Sequence, residues 1–284
     1  MSYIQALILG LLQGLTEFLP ISSSAHIEVL GRLLQWGDPG AAFTAIIQLG
    51  TEAAVTIYFW RDIVRIITKW FRQWGRGNGV TMRDPDVRLG WLVILGTIPI
   101  GVVGLLAKDW IESEFRSLWL VALVLILFGV LLWLADVLGR RVKPLETMTY
   151  RDGIWVGIAQ VLALVPGVSR SGATTGMALA LGYTRPAAAR YSFLIAIPAV
   201  WLSGLFELVN ALKGDTGTTG GQVLELGWGE TALATVVAFV IGYAVVAWFM
   251  RWISTRTFLP FILYRIALGI VLLVLLATGA LAAI

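Results

Sequence analysis

The sequence contains no cysteine, a single histidine and few charged residues. The absence of cysteine excludes disulfide bonds, thiolate catalysis and cysteine-ligated metals. Charged residues make up 13% of the 284 residues, whereas hydrophobic residues make up 58%. This balance lies outside the range of ordinary soluble domains, so the composition predicts an all-α polytopic membrane protein. The chain begins without the basic segment of a signal peptide, and we expect no part of it to be removed.

Six apolar segments are long enough to cross a hydrocarbon core about 30 Å thick, which takes about 20 helical residues. They predict six transmembrane helices within one membrane domain, residues 1–284. The predicted spans are 41–60, 89–107, 118–138, 187–210, 231–250 and 258–282.

Basic residues gather in some of the loops between these spans and indicate the orientation. The loops 61–88 and 140–151 are rich in arginine, whereas the loop 108–116 is mixed and slightly acidic. The positive-inside rule therefore places the two basic loops in the cytoplasm and the mixed loop outside. The net charge of +4 then reflects topology, and no nucleic-acid partner is expected.

Two further apolar segments, 4–36 and 153–183, are each interrupted in the middle by proline and serines. Basic residues flank 153–183 on both sides, so this segment must enter and leave the membrane on the cytoplasmic side. We therefore predict a re-entrant helical hairpin over 153–183. The segment 4–36 must end outside, and if it is re-entrant as well, both termini lie outside.

The two interrupted segments resemble each other, which suggests an internal repeat with halves 1–138 and 151–284. Each half would consist of one hairpin and three spans, and an odd number of spans inverts the second half. Inverted repeats with broken helices build polar sites near the middle of a membrane, so the two hairpin tips should face each other. The matching stretches are Gly10-Leu11-Leu12-Gln13 with Gly157-Ile158-Ala159-Gln160, and Pro20-Ile21-Ser22-Ser23-Ser24 with Pro166-Gly167-Val168-Ser169-Arg170-Ser171, after a shift of one residue.

The second tip carries an arginine at membrane depth, which by default marks a functional site with an anionic partner. Arg170 offers a planar, bidentate fork for phosphate oxygens. A helix that begins near Gly172 would point its N-terminal N–H groups at the same anion. The hydroxyl groups of this tip belong to Ser169, Ser171 and Thr174.

The first tip adds acid–base groups and oxygen ligands. Gln13 and Glu17 are four residues apart and lie on one face of a helix. Their oxygens are the hard ligands that Mg²⁺ or Ca²⁺ prefers when phosphate completes the shell, so a divalent cation is the predicted cofactor. Together the tips predict a phosphoryl-transfer site. The remaining polar residues of the first tip are Ser22, Ser23, Ser24 and His26.

Simpler roles are open for these residues. His26 could make a structural hydrogen bond at a helix end, and Ser22–Ser24 could cap the helix that follows. Glu17 could be a counter-ion that stabilises Arg170 at depth.

Other polar residues in the spans are less specific. Gln48 is predicted to line the pocket, and Glu52, four residues later, could do so too or bind a second cation. Arg265 is interpreted as a residue that extends its charge toward the interface, although its depth allows a partner within the protein.

Residues 13–26, QGLTEFLPISSSAH, and residues 166–174, PGVSRSGAT, together resemble the paired signature of the bacterial undecaprenyl pyrophosphate phosphatases. These are the integral-membrane enzymes linked to bacitracin resistance. The resemblance also covers Ile47-Gln48-Leu49-Gly50 and the pattern of spans. It implies hydrolysis of undecaprenyl pyrophosphate to undecaprenyl phosphate and phosphate, with a divalent cation, in the bacterial inner membrane. It also implies an active site that opens to the outer face and a role in recycling the lipid carrier of peptidoglycan synthesis.

The resemblance also implies roles for individual residues. Its acidic motif corresponds to Gln13 and Glu17, and its histidine corresponds to His26. Gln13 stands where many members have Glu, which makes Glu17 the more dependable ligand or base. Glu52 stands where an apolar residue is usual. The residues of the second motif are Ser169, Arg170, Ser171 and Thr174.

Our hypothesis is that Glu17, assisted by Gln13, holds the cation while Arg170 grips the pyrophosphate. Either Ser23 or a water molecule attacks the terminal phosphorus, with His26 and Glu17 as the pair that handles the proton, or His26 itself accepts the phosphoryl group; the sequence leaves this choice open. The alternative is a polyprenyl-phosphate flippase or ion-coupled transporter, because inverted repeats also mark such proteins. The hydroxyl groups predicted to bind phosphate beside Arg170 are those of Ser22, Ser24, Ser169, Ser171 and Thr174.

Overall fold

The computed structural model describes residues 1–37, 40–75, 79–106, 117–213 and 227–281. Within these ranges the chain forms eleven α-helices and two short 3-10 helices, Leu145–Thr147 and Leu162–Leu164. The α-helices are α1 (Tyr3–Thr16), α2 (Ser23–Leu33), α3 (Ala41–Tyr58), α4 (Trp60–Arg72), α5 (Pro85–Leu106), α6 (Leu118–Leu138), α7 (Tyr150–Val161), α8 (Arg170–Ala180), α9 (Arg185–Leu212), α10 (Trp228–Thr255) and α11 (Leu259–Ala277).

Five helices are long and apolar enough to cross a membrane: α5, α6, α9, α10 and α11. They coincide with the five predicted spans that follow the first, so the prediction of a helical, polytopic membrane protein is confirmed. α6 has the predicted bounds, whereas α9 and α10 are 28 residues long and extend past the predicted ends. The predicted span ends at 107 and 282, and the loop 108–116, lie outside the described residues.

The first predicted span, 41–60, ends earlier than expected. α3 stops at Tyr58, and the chain bends by 74° before α4 continues. If this bent pair is counted as one span, the described residues contain up to six candidate spans. α4 is amphipathic, because an exposed apolar stripe alternates with basic residues that cannot enter hydrocarbon. The stripe consists of Trp60, Val64, Ile67 and Phe71, and the exposed Trp74 follows just after the helix ends.

Both interrupted segments fold as two helices around a break. The break between α1 and α2 contains Pro20, and the break between α7 and α8 contains Pro166. Proline lacks an N–H group and prevents a helix from continuing through it. None of these four helices exceeds 14 residues, which is too short to span a membrane alone. The direction of each hairpin relative to the membrane stays a prediction.

Small residues bring each hairpin close to a helix distant in sequence. α1 packs along α10, and α7 packs along α5. A Cβ atom added to Gly10 would lie 2.5 Å from the carbonyl oxygen of Ala234, and one added to Gly157 would lie 2.6 Å from that of Gly96. Such close backbone approach is typical of helix packing in membranes. It carries both hairpin tips into the middle of the helix bundle.

Candidate active site

The two hairpin tips share an unusual local geometry. Ser22 has φ 72° and Ser169 has φ 70°, although the left-handed region is rarely occupied by residues other than glycine. The Ser22 hydroxyl lies 3.2 Å from that of Ser24, and the Ser169 hydroxyl lies 3.2 Å from that of Ser171. Strained backbone of this kind clusters at functional sites. Each tip thus presents a pair of hydroxyl groups at the start of a helix.

The two helix starts differ in how they are capped. Ser169 accepts a hydrogen bond from the N–H group of Gly172 and so caps α8, which begins at Arg170, two residues before the predicted start. Ser22 makes no such bond to α2. The first turn of a helix has N–H groups without intrahelical partners. The start of α2 is therefore the better placed of the two to bind an anion.

Glu17 lies where the tips meet. Its Oε1 atom accepts a hydrogen bond from Nη2 of Arg170 at 2.6 Å. Its Oε2 atom accepts bonds from the Ser23 hydroxyl at 2.6 Å and from the Gln13 amide at 2.7 Å. The carboxylate is nearly buried, with 5% of its side chain exposed. One group thus joins a hydroxyl of the first tip to the arginine of the second.

Arg265 also holds the two tips together, from the other side. It is fully buried on α11, and within the described part of the chain its guanidinium donates to four backbone carbonyls. The acceptors are Pro20 at 3.1 Å on the first tip, Gly167 at 2.8 Å and Val168 at 3.0 Å on the second, and Leu125 at 3.1 Å on α6. The five fixed donors of arginine suit this task. Arg265 therefore fixes the relative position of the tips.

A cleft of about 650 Å³ opens above the tips. Its walls are mainly apolar and come from the C-terminal halves of α5 and α9, including Ile100, Leu105, Leu202 and Phe206. Its floor is polar. Predicted site residues that line this floor or its sides are Glu17, Ser22, Ser23, Ser24, Gln48, Ser169 and Arg170.

His26 does not line this cleft. Its Nδ1 atom lies 2.7 Å from the carbonyl oxygen of Ser22, and its Nε2 atom lies 2.8 Å from the hydroxyl of Tyr264. Because a carbonyl only accepts, Nδ1 carries the proton, and in the neutral ring Nε2 accepts from Tyr264. The two rings also stack, with centroids 5.5 Å apart. Both ring nitrogens are thus engaged, and no hydrogen bond joins His26 to Glu17.

Three other predicted residues support the site from behind. Gln13 and Thr174 are completely buried. The Thr174 hydroxyl donates to the carbonyl oxygen of Arg170 at 2.8 Å and lies 2.5 Å from the Ser192 hydroxyl. The Ser171 hydroxyl donates to the carbonyl oxygen of Leu19 at 3.1 Å, which adds a contact between the tips. These side chains therefore position the tips and do not face the cleft.

Four contributing residues were predicted only in part or not at all. The interpretation that Arg265 extends toward the interface is wrong, because the side chain is fully buried; its depth in a span was the signal for the partners it has within the protein. Glu52, which was considered for the pocket or for a second cation, lies 3.9 Å from Arg170 but does not line the cleft. No sequence signal pointed to Tyr264 or Ser192, because the residues that they contact are distant in sequence.

The donor set for a divalent cation is small. Among the described residues there is no group of three or more histidine, aspartate or glutamate side chains that could hold a metal. Glu17 and Gln13 lie together, and within the described part of the chain the buried Oε1 atom of Gln13 has no hydrogen-bond partner. Of the two, only Glu17 lines the cleft, so Glu17 is the residue that could share a cation with phosphate and water there.

Comparison with known proteins identifies the family of this chain. The family model of bacitracin resistance protein BacA matches residues 6–271. The chain is 61% identical to an undecaprenyl-diphosphatase of Micrococcus luteus and 60% identical to one of Clavibacter michiganensis subsp. michiganensis, with 100% of both chains covered in each case. It is 54% identical to undecaprenyl-diphosphatase 3 of Frankia alni, over 100% of this chain and 98% of that protein. The chain therefore belongs to the bacitracin resistance protein BacA family.

Proposed function

We propose that this protein hydrolyses undecaprenyl pyrophosphate to undecaprenyl phosphate and inorganic phosphate in the bacterial inner membrane. The observation that carries the proposal is the contact of Glu17 with both Ser23 and Arg170 at the floor of an apolar cleft. The relatives that are 54–61% identical to this chain are undecaprenyl-diphosphatases. Their names favour hydrolysis over the transport alternative. The product would re-enter peptidoglycan synthesis as lipid carrier.

The polarity of the cleft suits such a substrate. The diphosphate would lie on the floor, where Arg170 and the hydroxyls of Ser22, Ser24 and Ser169 offer donors. The N-terminal N–H groups of α2 would add further donors. The polyprenyl chain would lie between α5 and α9, whose exposed residues include Leu106 and Leu202. A lipid tail of this kind requires apolar walls that continue into the bilayer.

The geometry favours Ser23 as the nucleophile. Its hydroxyl donates to Glu17 at 2.6 Å, which is the contact expected between a nucleophile and its base. Ser23 would attack the terminal phosphorus, its proton would pass to Glu17, and the bond to the bridging oxygen would break. Undecaprenyl phosphate would leave with that oxygen. Water would then release phosphate from Ser23, and Arg170 would stabilise the charge on the phosphoryl oxygens.

His26 is a weaker candidate for the nucleophile. Its nitrogens are engaged by Ser22 and Tyr264, and it lies off the cleft. We infer that it fixes the backbone of the first tip, so that Ser22 keeps its strained conformation.

Glu17 would hold a divalent cation, Mg²⁺ or Ca²⁺, at the cleft floor. Gln13 would orient the Glu17 carboxylate through the hydrogen bond of 2.7 Å that it donates to Oε2. When bound, such a cation neutralises phosphate charge and polarises the P–O bonds.

We also propose that the cleft opens to the outer face and that the two hairpins are inverted repeats. The cleft walls belong to the C-terminal halves of α5 and α9, and the loop 108–116 that follows α5 in the sequence is the mixed, slightly acidic loop expected outside. The matching φ angles of Ser22 and Ser169 support the repeat. Both halves would then contribute one tip to one site.

Release of phosphate from undecaprenyl pyrophosphate by the purified protein in detergent tests the function. We expect turnover that stops with a chelator and returns with Mg²⁺ or Ca²⁺. Arg170→Ala should remove almost all turnover, whereas Arg256→Ala, at an exposed arginine beside Trp252, should not. Full activity in Arg170→Ala would contradict the site, and no phosphate release by the wild type would contradict the function.

A further inference from the structure

Tyr264 contacts the first tip from α11, and the proposed reaction does not use it. Its hydroxyl lies 2.8 Å from Nε2 of His26, and the two rings are nearly parallel, with an angle of 10° between their planes. His26 is buried on α2, and its Nδ1 atom lies 2.7 Å from the carbonyl oxygen of Ser22. Tyr264, His26 and Ser22 therefore form one hydrogen-bonded chain that ends at the backbone of the tip.

The two tips hold their strained serines in different ways. Ser169 of the second tip, with φ 70°, caps α8 through the bond of 3.2 Å from the N–H group of Gly172. The backbone bond from Ala173 to the Ser169 carbonyl is 2.9 Å long, whereas the matching bond from His26 to the Ser22 carbonyl is 3.3 Å long. Ser22, with φ 72°, has no such cap. Strained backbone persists only where its surroundings hold it, so the first tip depends on another restraint.

The chain through His26 supplies this restraint without occupying the N–H groups of α2. A cap serine takes an N–H group that an anion would otherwise bind. His26 instead holds the Ser22 carbonyl and does not line the cleft, whereas Ser22, Ser23 and Ser24 do. The C=O and N–H groups of a trans peptide point in opposite directions, so the N–H group of Ser23 points away from His26. The start of α2 thus stays available to phosphate.

Tyr264 determines whether His26 can perform this task. Only the tautomer with its proton on Nδ1 satisfies both contacts of the ring, because the Ser22 carbonyl can only accept. The Tyr264 hydroxyl then donates to Nε2. Without this hydroxyl Nε2 would be a buried acceptor that lacks its donor, which is unfavourable. The ring could then regain a partner by turning or by changing tautomer, and either change would release the Ser22 carbonyl.

We propose that Tyr264 is a positioning residue for phosphate binding at the first tip. By donating to Nε2 it keeps the Nδ1 proton of His26 on the Ser22 carbonyl, so the peptide between Ser22 and Ser23 keeps its orientation while the phosphoryl group is bound. This inference rests on the proposed function, since that function places phosphate at the start of α2. Tyr264 does not touch substrate, because it does not line the cleft.

Nuclear magnetic resonance of the histidine ring tests the chain without turnover. His26 is the only histidine in the sequence, so labelling with ¹⁵N-histidine gives one pair of ring signals. We expect a protonated Nδ1 and an unprotonated, hydrogen-bonded Nε2 in the wild type. Tyr264→Phe keeps the stacked ring, and it should shift the Nε2 signal or add that of the other tautomer. A protonated Nε2 in the wild type, or unchanged signals in Tyr264→Phe, would overturn the inference.

A double-mutant cycle on anion binding tests the effect on the tip. The probe is orthovanadate, an analogue of the phosphoryl group in transit, titrated by calorimetry into the full chain in detergent with Mg²⁺. Tyr264→Phe should raise the Kd about fivefold in the wild-type background, because one hydrogen bond is lost. In the His26→Phe background, which keeps a ring but no ring nitrogen, it should change the Kd by less than about twofold. The same factor in both backgrounds would overturn the inference.

Tyr243 on α10 provides a matched control. It is 42% exposed, compared with 46% for Tyr264, and its ring packs against that of Tyr58 at 6.3 Å. Tyr243→Phe also removes one tyrosine hydroxyl, yet it should leave the histidine signals and the Kd for orthovanadate unchanged. An increase in the Kd equal to that of Tyr264→Phe would contradict a specific role of Tyr264.

Turnover gives the last measurement. Tyr264→Phe should lower kcat for phosphate release about fivefold and change KM by less than about twofold, because the apolar walls that bind the polyprenyl chain are intact. A purely structural role would lower the folded fraction, and thereby kcat, without changing the Kd for orthovanadate. An unchanged kcat in Tyr264→Phe would overturn the inference. Coupling in the binding cycle without phosphate release by the wild type would support it and reject only the proposed hydrolysis.

Discussion

Replacement of Arg265 by methionine should separate the two hairpin tips and strongly reduce activity. The change leaves four buried carbonyl oxygens, those of Pro20, Leu125, Gly167 and Val168, without their donor. Hydrogen bonds from a charged donor contribute about 1.5–3 kcal/mol each, which is partly offset because burial of the guanidinium costs several kcal/mol. We expect a net loss of about 3–5 kcal/mol in the free energy of unfolding.

The effect on catalysis follows from where the acceptors lie. Three of the four carbonyls belong to the tips, so both Ser23 and Arg170 depend on Arg265 for their separation. A shift of a reacting group by about 1 Å lowers the reaction rate about 10²-fold. We therefore expect kcat/KM for phosphate release from undecaprenyl pyrophosphate to fall about 100-fold at a temperature where the variant is folded. The kcat/KM of Arg265→Lys should lie between those of the wild type and Arg265→Met, because a single ammonium nitrogen cannot reach both tips.

Activity and thermal unfolding are measured on the same detergent-solubilised preparations. Arg256→Met is the matched control, since Arg256 is exposed and stacks on Trp252 with a distance of 5.8 Å. If Arg265→Met keeps turnover within about threefold of wild type, the tips are positioned by other contacts and the reasoning is wrong.

Three further predictions concern the cleft, the tip backbone and a buried ion pair. Gly101 lines the cleft, and a Cβ atom there meets nothing within 4 Å. Gly101→Leu should therefore fold normally and raise KM about tenfold, because the new side chain occupies the space proposed for the polyprenyl chain. An unchanged KM would refute the placement of that chain between α5 and α9. Ser22→Gly should be more stable than Ser22→Ala by about 1 kcal/mol, because glycine adopts φ 72° without the strain that serine and alanine share. Chemical unfolding tests this, and equal stability of the two variants would contradict it. Asp136 accepts hydrogen bonds from Arg185 at 2.6 and 3.2 Å. Asp136→Ala should therefore lower the free energy of unfolding by about 3 kcal/mol without changing kcat of the folded fraction. The same measurements on Asp136→Asn serve as the control, and unchanged stability in Asp136→Ala would argue against a stabilising role of the pair.

Much of the fold was predictable because hydrocarbon imposes simple rules on sequence. The length of apolar runs located α5, α6, α9, α10 and α11, and proline located both breaks. The 74° bend after Tyr58 was missed, since the apolar run continues through Phe59 and Trp60 before the charges of α4 begin.

Prediction of the site was less complete, because it depended on which side chains face the cleft. The contacts of Glu17 with Gln13 and Arg170 follow from helical spacing and from the cost of a buried charge. The orientation of His26 toward Tyr264 does not, since these residues are 238 positions apart. Tertiary packing alone determines that contact.

The packing of α1 against α10 has a consequence for the order of assembly. The first hairpin is synthesised first, yet the surface that accepts Gly10 is part of a helix that begins at Trp228. Until α10 has entered the membrane, α1 has no partner for its small residues, and α11 has not yet supplied Arg265 to the tips. We therefore expect the first hairpin to remain undocked during most of translation. Chains released before about residue 265 should lack a formed site, even though they contain both signature segments.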